Sequence, residues 1–299
     1  MPITERIFSC QSPVIIRKFK TLVRIFLTKM ELSVIITHHR ELNLLKKCLP
    51  LIREEIKGME SEIIVILSEY QEETLSALKQ EFNDVIFLPF EENLYFVRSI
   101  NRGIERASGN YILLINDDVM VSPGSIRQLI DFLKTNEKVG LVGPRVLYPD
   151  GSSQPSCFRF YTPLTIVCRR TILGKIGFCK KINDNFLYKD KDIYRENGLT
   201  VDWLMNGSGV LTRKEDLEKV GPLDERLKHY FSDVDWCRRF WQNGFKVVYF
   251  PKAVFRHYHG KKSRGRGLLS LLTNRMTRIH VADGMKYFWK WGFRNTDYR

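Results

Sequence analysis

The stretch Leu32-Ser-Val-Ile-Ile-Thr37 decides the fold class, because it is a short apolar run rich in β-branched residues. Such a run predicts a buried β-strand. Helical and strand patterns alternate along the chain after it. Helices are predicted over 41–57, 72–82 and 97–107, and strands over 62–67, 85–88 and 111–115. Strands that alternate with helices predict an α/β layer with a mostly parallel sheet flanked by helices.

The pattern continues less regularly beyond residue 120. Ser122-Pro123-Gly124 predicts the start of a helix, with proline near the first turn. Residues 139–142 and 245–250 are predicted strands, and a helix is expected from Phe231 to about Asn243. Residues 150–200 are basic, aromatic and broken by glycine and proline, so no element is predicted there. Pro50 interrupts the first predicted helix and makes its middle uncertain.

The positive charge of the chain is concentrated at its two ends. The net charge is +14, of which residues 1–30 contribute +5 and residues 252–299 contribute +10. Such ends suit an anionic partner, although solubility alone is the alternative explanation. Nucleic acid is not expected as that partner, because no recognised nucleic-acid motif appears and the excess charge lies in the termini.

Two further features bear on the compartment. The six cysteines form no C-x-x-C pair and no secretion signal is recognised, so reduced thiols are expected. The uncharged apolar runs are too short for a membrane span. A cytoplasmic protein is therefore predicted, with peripheral attachment to the inner face of the cell membrane as an open alternative.

Candidate chemistry is expected beyond the carboxyl ends of the strands, where ligands of such sheets bind. Asn116-Asp117-Asp118 follows the strand over 111–115 and could hold a divalent cation, since Mg²⁺ takes one or two carboxylates and shares substrate phosphates. The alternative is a polar turn or helix cap.

Three other segments carry similar pairs of interpretations. Asp233, within Ser232-Asp233-Val234-Asp235, is either a general base or part of a helix N-cap. His257 and His259 would share a strand face, so one could bind a metal. Arg98 and Arg102 lie four residues apart on one helical face, which could meet a diphosphate or simply be solvated.

The order of these segments resembles a known family. The similarity extends from about Leu32 to Ser263 and is marked by characteristic segments. These are Ser33-Val-Ile-Ile-Thr37, Asn101-Arg-Gly-Ile104, Ala107-Ser-Gly-Asn-Tyr111, Leu114-Ile-Asn-Asp-Asp118, Val142-Gly-Pro-Arg145, Tyr148-Pro-Asp-Gly151, Val201-Asp-Trp203, Gly221-Pro-Leu-Asp-Glu225, Phe231-Ser-Asp-Val-Asp235 and His257-Tyr-His-Gly260. Together they resemble the family 2 glycosyltransferases of the GT-A fold, especially rhamnosyltransferase-like members that build surface polysaccharide.

The resemblance implies a Rossmann-like GT-A domain over 31–262, preceded by a basic extension over 1–30 and followed by a basic, aromatic helical tail over 263–299. It implies an inverting, metal-dependent transfer of a sugar, with rhamnose as one candidate, from a nucleotide-diphosphate donor to a glycan or lipid-linked acceptor hydroxyl. Mn²⁺ or Mg²⁺ is the expected cofactor.

The residues that match the family's motifs receive roles by this resemblance. Asp233 would be the catalytic base, and Asp118 and His257 the metal ligands. The acceptor side would include Asp202, Trp203 and Asp235. The donor side would include Thr37, Arg40, Ser68, Arg98, Asn101, Asn116, Asp117, Asp118 and Gly207.

The sequence also departs from the family pattern. Leu67 stands where the family usually has a base-contacting Asp after the second strand, and Ser68, Glu69 and Glu72 are the candidates to take over its role. The first strand leads into Thr37-His38-His39-Arg40 instead of Thr-Tyr-Asn-Arg, and Ser232 stands where an acid is usual. These departures motivate an alternative function, a catalytically degenerate relative that binds a nucleotide sugar or glycan.

The tail has two interpretations as well. Basic residues over 261–266 are followed by Tyr287, Phe288, Trp289, Trp291 and Phe293. Aromatic residues beside Lys and Arg suit a membrane interface, where lipid-linked acceptors reside. The alternative is a C-terminal helix that packs on the catalytic domain.

Overall fold

The computed structural model describes residues 30–170, 177–194, 197–258 and 274–293. Residues 1–29 of the predicted N-terminal extension, His259 and the basic run over 261–266 lie outside the described residues. So do the last six positions of the predicted tail, 294–299.

Twelve strands and nine α-helices are assigned within these residues. The strands are β1 (Leu32–His38), β2 (Ser61–Ser68), β3 (Ile86–Phe90), β4 (Tyr111–Asn116), β5 (Val119–Val121), β6 (Val139–Leu147), β7 (Ser153–Gln154), β8 (Cys157–Phe158), β9 (Leu199–Thr200), β10 (Trp203–Leu204), β11 (Val210–Arg213) and β12 (Lys246–His257). The helices are α1 (Leu42–Glu55), α2 (Glu72–Glu81), α3 (Tyr95–Arg106), α4 (Ser125–Thr135), α5 (Pro163–Arg170), α6 (Gly177–Phe186), α7 (Lys214–Val220), α8 (Ser232–Gln242) and α9 (Arg275–Trp291). A 3₁₀ turn covers Asn206–Ser208.

The predicted α/β fold with a mostly parallel sheet is confirmed. The main sheet has the strand order β3-β2-β1-β4-β11-β6-β12-β5. The first four strands are mutually parallel, and β6 and β12 also pair in parallel. The antiparallel strand β11 lies between β4 and β6. Because β1 is central to the parallel part, its carboxyl end lies beside those of β2 and β4.

Both faces of the sheet are covered by helices, as the apolar strand patterns require. Val34 and Ile36 of β1 join a cluster with α1, α2 and α4, whereas Ile35 points to a second cluster with α3 and α8. This alternation follows from the two-residue period of a strand.

The structure adds elements that the sequence did not predict. Helices α5 and α6 and several short strands fill the region 150–200, and β5 follows the acidic segment. Helix α1 continues through Pro50. Strands β6 and β12 are longer than predicted.

The expectation of reduced thiols is wrong for one pair of cysteines. A disulfide joins Cys168 and Cys179, whose Cα atoms lie 5.0 Å apart. Helices α5 and α6 pack together and bring these residues into bonding range although eleven positions separate them. Cys48, Cys157 and Cys237 are free and buried.

Substitution of Gly103 by alanine tests how closely α3 packs on the sheet. Alanine usually favours a helix interior over glycine by about 1 kcal/mol. Here an added Cβ would overlap the Ile35 side chain and lie 3.0 Å from the Ile66 Cδ1 atom. We therefore expect Gly103→Ala to lower the free energy of unfolding by about 1–3 kcal/mol in chemical denaturation. Glu105→Ala, on the exposed side of the same helix, is the control and should change it little. A Gly103→Ala protein as stable as the parent would contradict this packing.

Candidate active site

The carboxyl ends of β1 and β4 meet at the predicted acidic segment. Thr37 pairs in register with Asn116, and its hydroxyl donates a hydrogen bond of 2.7 Å to the Asn116 Oδ1 atom. The Asp117 amide then donates to the Thr37 carbonyl oxygen at 3.2 Å. The backbone leaving β4 is thereby fixed to the end of β1, which places Asp117 and Asp118 above the sheet edge.

His38 holds the first of these carboxylates. The distance between His38 Nδ1 and Asp117 Oδ2 is 2.5 Å, and both residues are buried. Burial raises the pKa of Asp117, and the hydrogen bond from His38 opposes that rise. The sequence had marked His38 only as a departure from the family pattern, so this contact was missed.

Asp118 lies beside His257. The distance between Asp118 Oδ2 and His257 Nε2 is 3.2 Å, and the Tyr258 amide donates to the Asp118 carbonyl oxygen at 2.7 Å. The cause is the pairing of β5 with β12, which sets His257 opposite Val119. Gln154 approaches the other ring nitrogen, Nδ1, at 3.0 Å and fixes the imidazole. Gln154 was not anticipated from the sequence.

The donor set of this pair suits a divalent cation. Asp118 Oδ1 is buried and makes no hydrogen bond within the described residues. A carboxylate and an imidazole, the latter braced by Gln154, are ordinary ligands of such ions. No group of three or more His, Cys, Asp or Glu side chains in the described parts of the chain is arranged to hold a metal. Two protein ligands would leave the remaining positions for substrate phosphates and water.

The 3₁₀ turn Asn206–Ser208 connects the acidic segment to Asp233. A Cβ on Gly207 would lie 2.7 Å from the Asn116 Nδ2 atom, so only glycine permits this close approach. The backbone amide of Asn206 donates a hydrogen bond to the Asp233 carboxylate. The Asn206 side chain is fully buried, and neither of its amide atoms has a hydrogen-bond partner within the described residues.

Asp233 lies in the first turn of α8 and is partly accessible to solvent. Burial raises its pKa to about 7, against hydrogen bonds from Ser232 and Asn206 that lower it. The Ser232 hydroxyl donates to Asp233 Oδ1 at 3.3 Å. A carboxyl group with a pKa near neutrality can accept a proton at physiological pH, which is the property that a general base needs.

A second polar cluster follows β1 and β2. The Glu69 carboxylate contacts His39 Nε2 at 2.7 Å, Arg40 at 2.9 Å and Asn93 at 3.2 Å. These contacts, with that from His39 the largest, lower the pKa of Glu69. The neighbouring Ser68 hydroxyl accepts from the Leu94 amide at 2.9 Å. Arg40 and Ser68 therefore lie together at the end of the sheet, beside the position where the family has its base-contacting Asp.

Two predicted donor-binding residues have other partners. Arg98 forms a 2.9 Å ion pair with Glu92 at the surface. Asn101 is buried, and its side chain donates to the Leu223 carbonyl and the Glu225 carboxylate while accepting from the Leu223 amide. Asn101 thus fixes the loop before α8, and its predicted contact with the donor stays a prediction.

The predicted acceptor residues Asp202 and Trp203 brace the region 157–204. The Asp202 carboxylate accepts from the Phe160 amide at 2.8 Å and from the Tyr188 hydroxyl at 2.9 Å. The Trp203 indole stacks on Phe158, with ring centroids 4.4 Å apart. These contacts hold the segments around residues 158–160 and 188 against residues 202–203.

The C-terminal helix α9 packs against the segment that carries Asp233. Its buried Asp283 carboxylate accepts hydrogen bonds from the amides of Lys228, His229 and Tyr230, at 3.0–3.2 Å. Asp235, predicted as an acceptor residue, is fully buried and pairs with Lys290 at 2.6 Å. Trp291 donates to the same Asp235 carboxylate at 2.8 Å. Helix α9 is therefore part of the support of α8.

Comparison with known proteins identifies the family. The model of the family described as "Glycosyl transferase family 2" matches residues 33–189. The N-acetylglucosaminyl-diphospho-decaprenol L-rhamnosyltransferase of Mycobacterium tuberculosis is 30% identical over 230 residues, which are 73% of this chain and 73% of that protein. The chain belongs to glycosyl transferase family 2. The predicted resemblance is thereby confirmed.

Solved structures show that this family 2 glycosyltransferase shares its fold with proteins of low sequence identity. A structure of GalNAc-T7 with UDP, GalNAc and Mn²⁺ superposes with a TM-score of 0.59 at 13% identity, covering 79% of this chain and 45% of that one. The mannosyltransferase PcManGT of Pyrobaculum calidifontis, in complex with GDP-Man and Mn²⁺, gives 0.53 at 14% identity, covering 91% and 71%. The predicted GT-A fold is thereby confirmed.

Replacement of Asp283 tests the support that α9 gives to the glycosyltransferase. Asparagine keeps one acceptor oxygen, so Asp283→Asn should leave buried amides of 228–230 unpaired and lower the free energy of unfolding by about 1–3 kcal/mol. Hydrogen exchange of those three amides should accelerate. Glu73→Gln, on the exposed side of α2, is the matched control. Unchanged exchange at 228–230 would show that Asp283 does not hold this segment.

Proposed function

We propose that this glycosyltransferase moves a sugar from a nucleotide-diphosphate donor to a hydroxyl of a lipid-linked glycan acceptor, with inversion at the anomeric carbon. Rhamnose is the favoured sugar, because the Mycobacterium tuberculosis relative is named as an L-rhamnosyltransferase acting on N-acetylglucosaminyl-diphospho-decaprenol. The nucleotide base stays open, since Leu67 stands at the position where the family usually has its base-contacting Asp.

One observation carries the proposal. The turn Asn206–Ser208 joins a candidate base to the acidic segment, because Asn206 contacts the Asp233 carboxylate and Gly207 packs on Asn116. Asn116 leads directly into Asp117 and Asp118. A proton acceptor and a cation-binding pair are therefore tied to one short turn, as a transfer between a diphosphate donor and a hydroxyl acceptor requires.

Asp118 and His257 are the residues that would hold Mn²⁺ or Mg²⁺. The bound ion would neutralise charge on the departing diphosphate as a Lewis acid. The Gln154 Nε2 atom lies 3.0 Å from His257 Nδ1. A half-turn of this amide would present Oε1 to Nδ1 instead, in which case Nδ1 carries the proton and Nε2 keeps its lone pair for the ion. The pairing of His38 with Asp117 keeps the neighbouring carboxylate in place.

Asp233 would take the proton from the acceptor hydroxyl as its oxygen attacks the anomeric carbon. The bond to the diphosphate breaks on the opposite side of that carbon, so a single displacement inverts its configuration. No second carboxylate nucleophile is required. Asp233 lies in the first turn of α8, beside the turn that contains Asn206. The buried side-chain amide of Asn206 could bind a hydroxyl of the sugar.

The donor nucleotide would lie over the ends of β1 and β2. Thr37, Ser68 and Glu69 occupy these strand ends, and Arg40 is held there by Glu69. In this proposal, Glu69 takes the role of the base-contacting Asp that the family usually has after the second strand. Its carboxylate could accept hydrogen bonds from a base or a ribose hydroxyl.

The acceptor would approach from the side of α5 and α9. A cavity of about 290 Å³ is lined by Tyr161, Ile166, Arg169, Phe231 and His280. Phe231 precedes Asp233 by two residues, so the cavity borders the segment of the base. A lipid-linked acceptor resides at a membrane, and the enzyme would accordingly work there as a peripheral protein. Among the described residues, no helix is long and apolar enough to cross a bilayer.

Two variants separate catalysis from donor binding. Asp233→Asn should lower kcat by about 10²–10⁴-fold, because it removes the proton acceptor, while donor-induced thermal stabilisation persists. The thermal midpoint of the parent should rise by about 5–10 °C with donor at about 100 times its Kd, and Asp118→Asn should abolish the Mn²⁺-dependent part of that rise. The measurement is thermal unfolding with a panel of nucleotide sugars, followed by turnover with the best donor.

The same pair decides between the enzyme and the degenerate relative. A parent protein that is stabilised by a donor yet never turns over would favour the binding protein. Full turnover by Asp233→Asn would remove Asp233 from the base role.

The pH dependence provides an independent test. Because the protonated carboxyl cannot accept a proton, kcat should fall about tenfold per pH unit below the pKa of Asp233, which is about 7. Ser232→Ala removes a hydrogen bond that lowers this pKa, so the acidic limb should move to higher pH. An acidic limb near pH 4, or one that Ser232→Ala leaves in place, would contradict the assignment.

A further inference from the structure

Helix α9 presents a continuous apolar face to solvent. The exposed fractions are 44% for Val281, 65% for Met285, 93% for Trp289 and 69% for Phe293, just beyond the helix. Val281, Met285 and Trp289 recur every four positions within the helix, so their side chains share one side of it. Phe293 follows the end of the helix, and its ring stacks on Phe288 with centroids 5.8 Å apart. Exposed large apolar side chains in a contiguous row mark an interaction surface.

The opposite side of α9 is fixed to the catalytic domain. Ile279, Asp283 and Tyr287 are buried there, and Asp283 binds three backbone amides of the segment before α8. Of the aromatic residues in the predicted tail, Tyr287, Phe288 and Trp291 pack against the core, whereas Trp289 and Phe293 face outward. Because the buried side holds the helix in this orientation, the opposite side of α9 faces solvent in the folded protein.

The exposed charged residues of α9 itself are all basic. The exposed Arg278 precedes Val281 by one helical turn, and Lys286 is exposed beside Met285. The only acidic residue of α9 is the buried Asp283. A second copy of the chain would place two cationic faces against each other, so charge disfavours it as the partner of this face. The chain's own segment 259–273 is disfavoured for the same reason, because it contains four Lys or Arg and no acid.

We propose that the face formed by Arg278, Val281, Met285 and Trp289, with the exposed Phe293 beyond its end, docks on an anionic lipid surface. Tryptophan, phenylalanine and methionine beside arginine and lysine are suited to the boundary between headgroups and acyl chains. The biological purpose rests on the proposed lipid-linked acceptor, since His280, the neighbour of Val281, lines the cavity near Asp233. Lipid binding itself needs no sugar, so the two proposals can fail separately.

Trp289 provides the probe. Trp203, Trp236 and Trp241 are buried and Trp291 is partly buried, so Trp289 is the most exposed tryptophan of the chain. Its insertion into a lipid interface should shift the emission of the protein to shorter wavelength. Trp289→Phe should keep vesicle binding and lose most of that shift.

The test is sedimentation of the full chain with vesicles of phosphatidylglycerol and phosphatidylcholine, or of phosphatidylcholine alone. The parent should bind the anionic vesicles preferentially. The double variant Met285→Ser with Trp289→Ser should bind them about tenfold more weakly or worse, because it removes apolar area that would leave water. Leu51→Ser, an exposed apolar residue on α1, is the matched control and should bind like the parent. Equal thermal midpoints of all variants would establish that they are folded.

Three results would overturn the proposal. The first is that the parent does not sediment with anionic vesicles, and the second is that the double variant binds them like the parent. The third is that the parent is a dimer in solution whereas the double variant is a monomer. The last would assign this face to a second copy of the chain.

Discussion

The site depends on one short turn that holds two distant parts of the chain together. Asn206–Ser208 packs its glycine against Asn116 at the end of β4 and donates a backbone hydrogen bond to Asp233 at the start of α8. A Cβ at position 207 would overlap the Asn116 side chain, which Thr37 holds by a hydrogen bond. The relation between the acidic segment and Asp233 is therefore set by the contacts of this turn with the Asn116 side chain and the Asp233 carboxylate.

Several buried charges in this enzyme are placed against backbone or opposite charge. Asp283 accepts hydrogen bonds from three backbone amides, Asp235 pairs with Lys290, and Asp117 pairs with His38. Burial of an unpaired charge is costly, so each of these carboxylates holds its partner firmly. Burial outweighs the hydrogen bonds and raises the pKa at both Asp117 and Asp233, and at Asp233 the value reaches about 7. The two differ in their partners, because Asp117 faces the His38 imidazole whereas Asp233 is met by the Ser232 hydroxyl and by the backbone of residues 206 and 233.

Strand patterns made most of the parallel sheet predictable, since β1, β2, β3 and β4 are apolar runs bounded by helices. The same reasoning placed Asp118, His257 and Asp233 at element ends, and the structure brings Asp118 and His257 together. It could not find Gln154 or the contact of His38, because neither lies in a recognisable spacing. The disulfide between Cys168 and Cys179 escaped for a related reason, since it depends on how α5 and α6 pack.

By itself, the sequence determined the α/β class and the family, because apolar periodicity and motif order are local properties of the chain. Only the tertiary structure decided which partners the polar residues of these motifs have. Asp235 and Asn101 are both buried, and their partners on α9 and in the 223–225 loop lie far away along the chain. It also divided the aromatic residues of α9 into an inner and an outer face, because that division depends on the surface against which the helix packs.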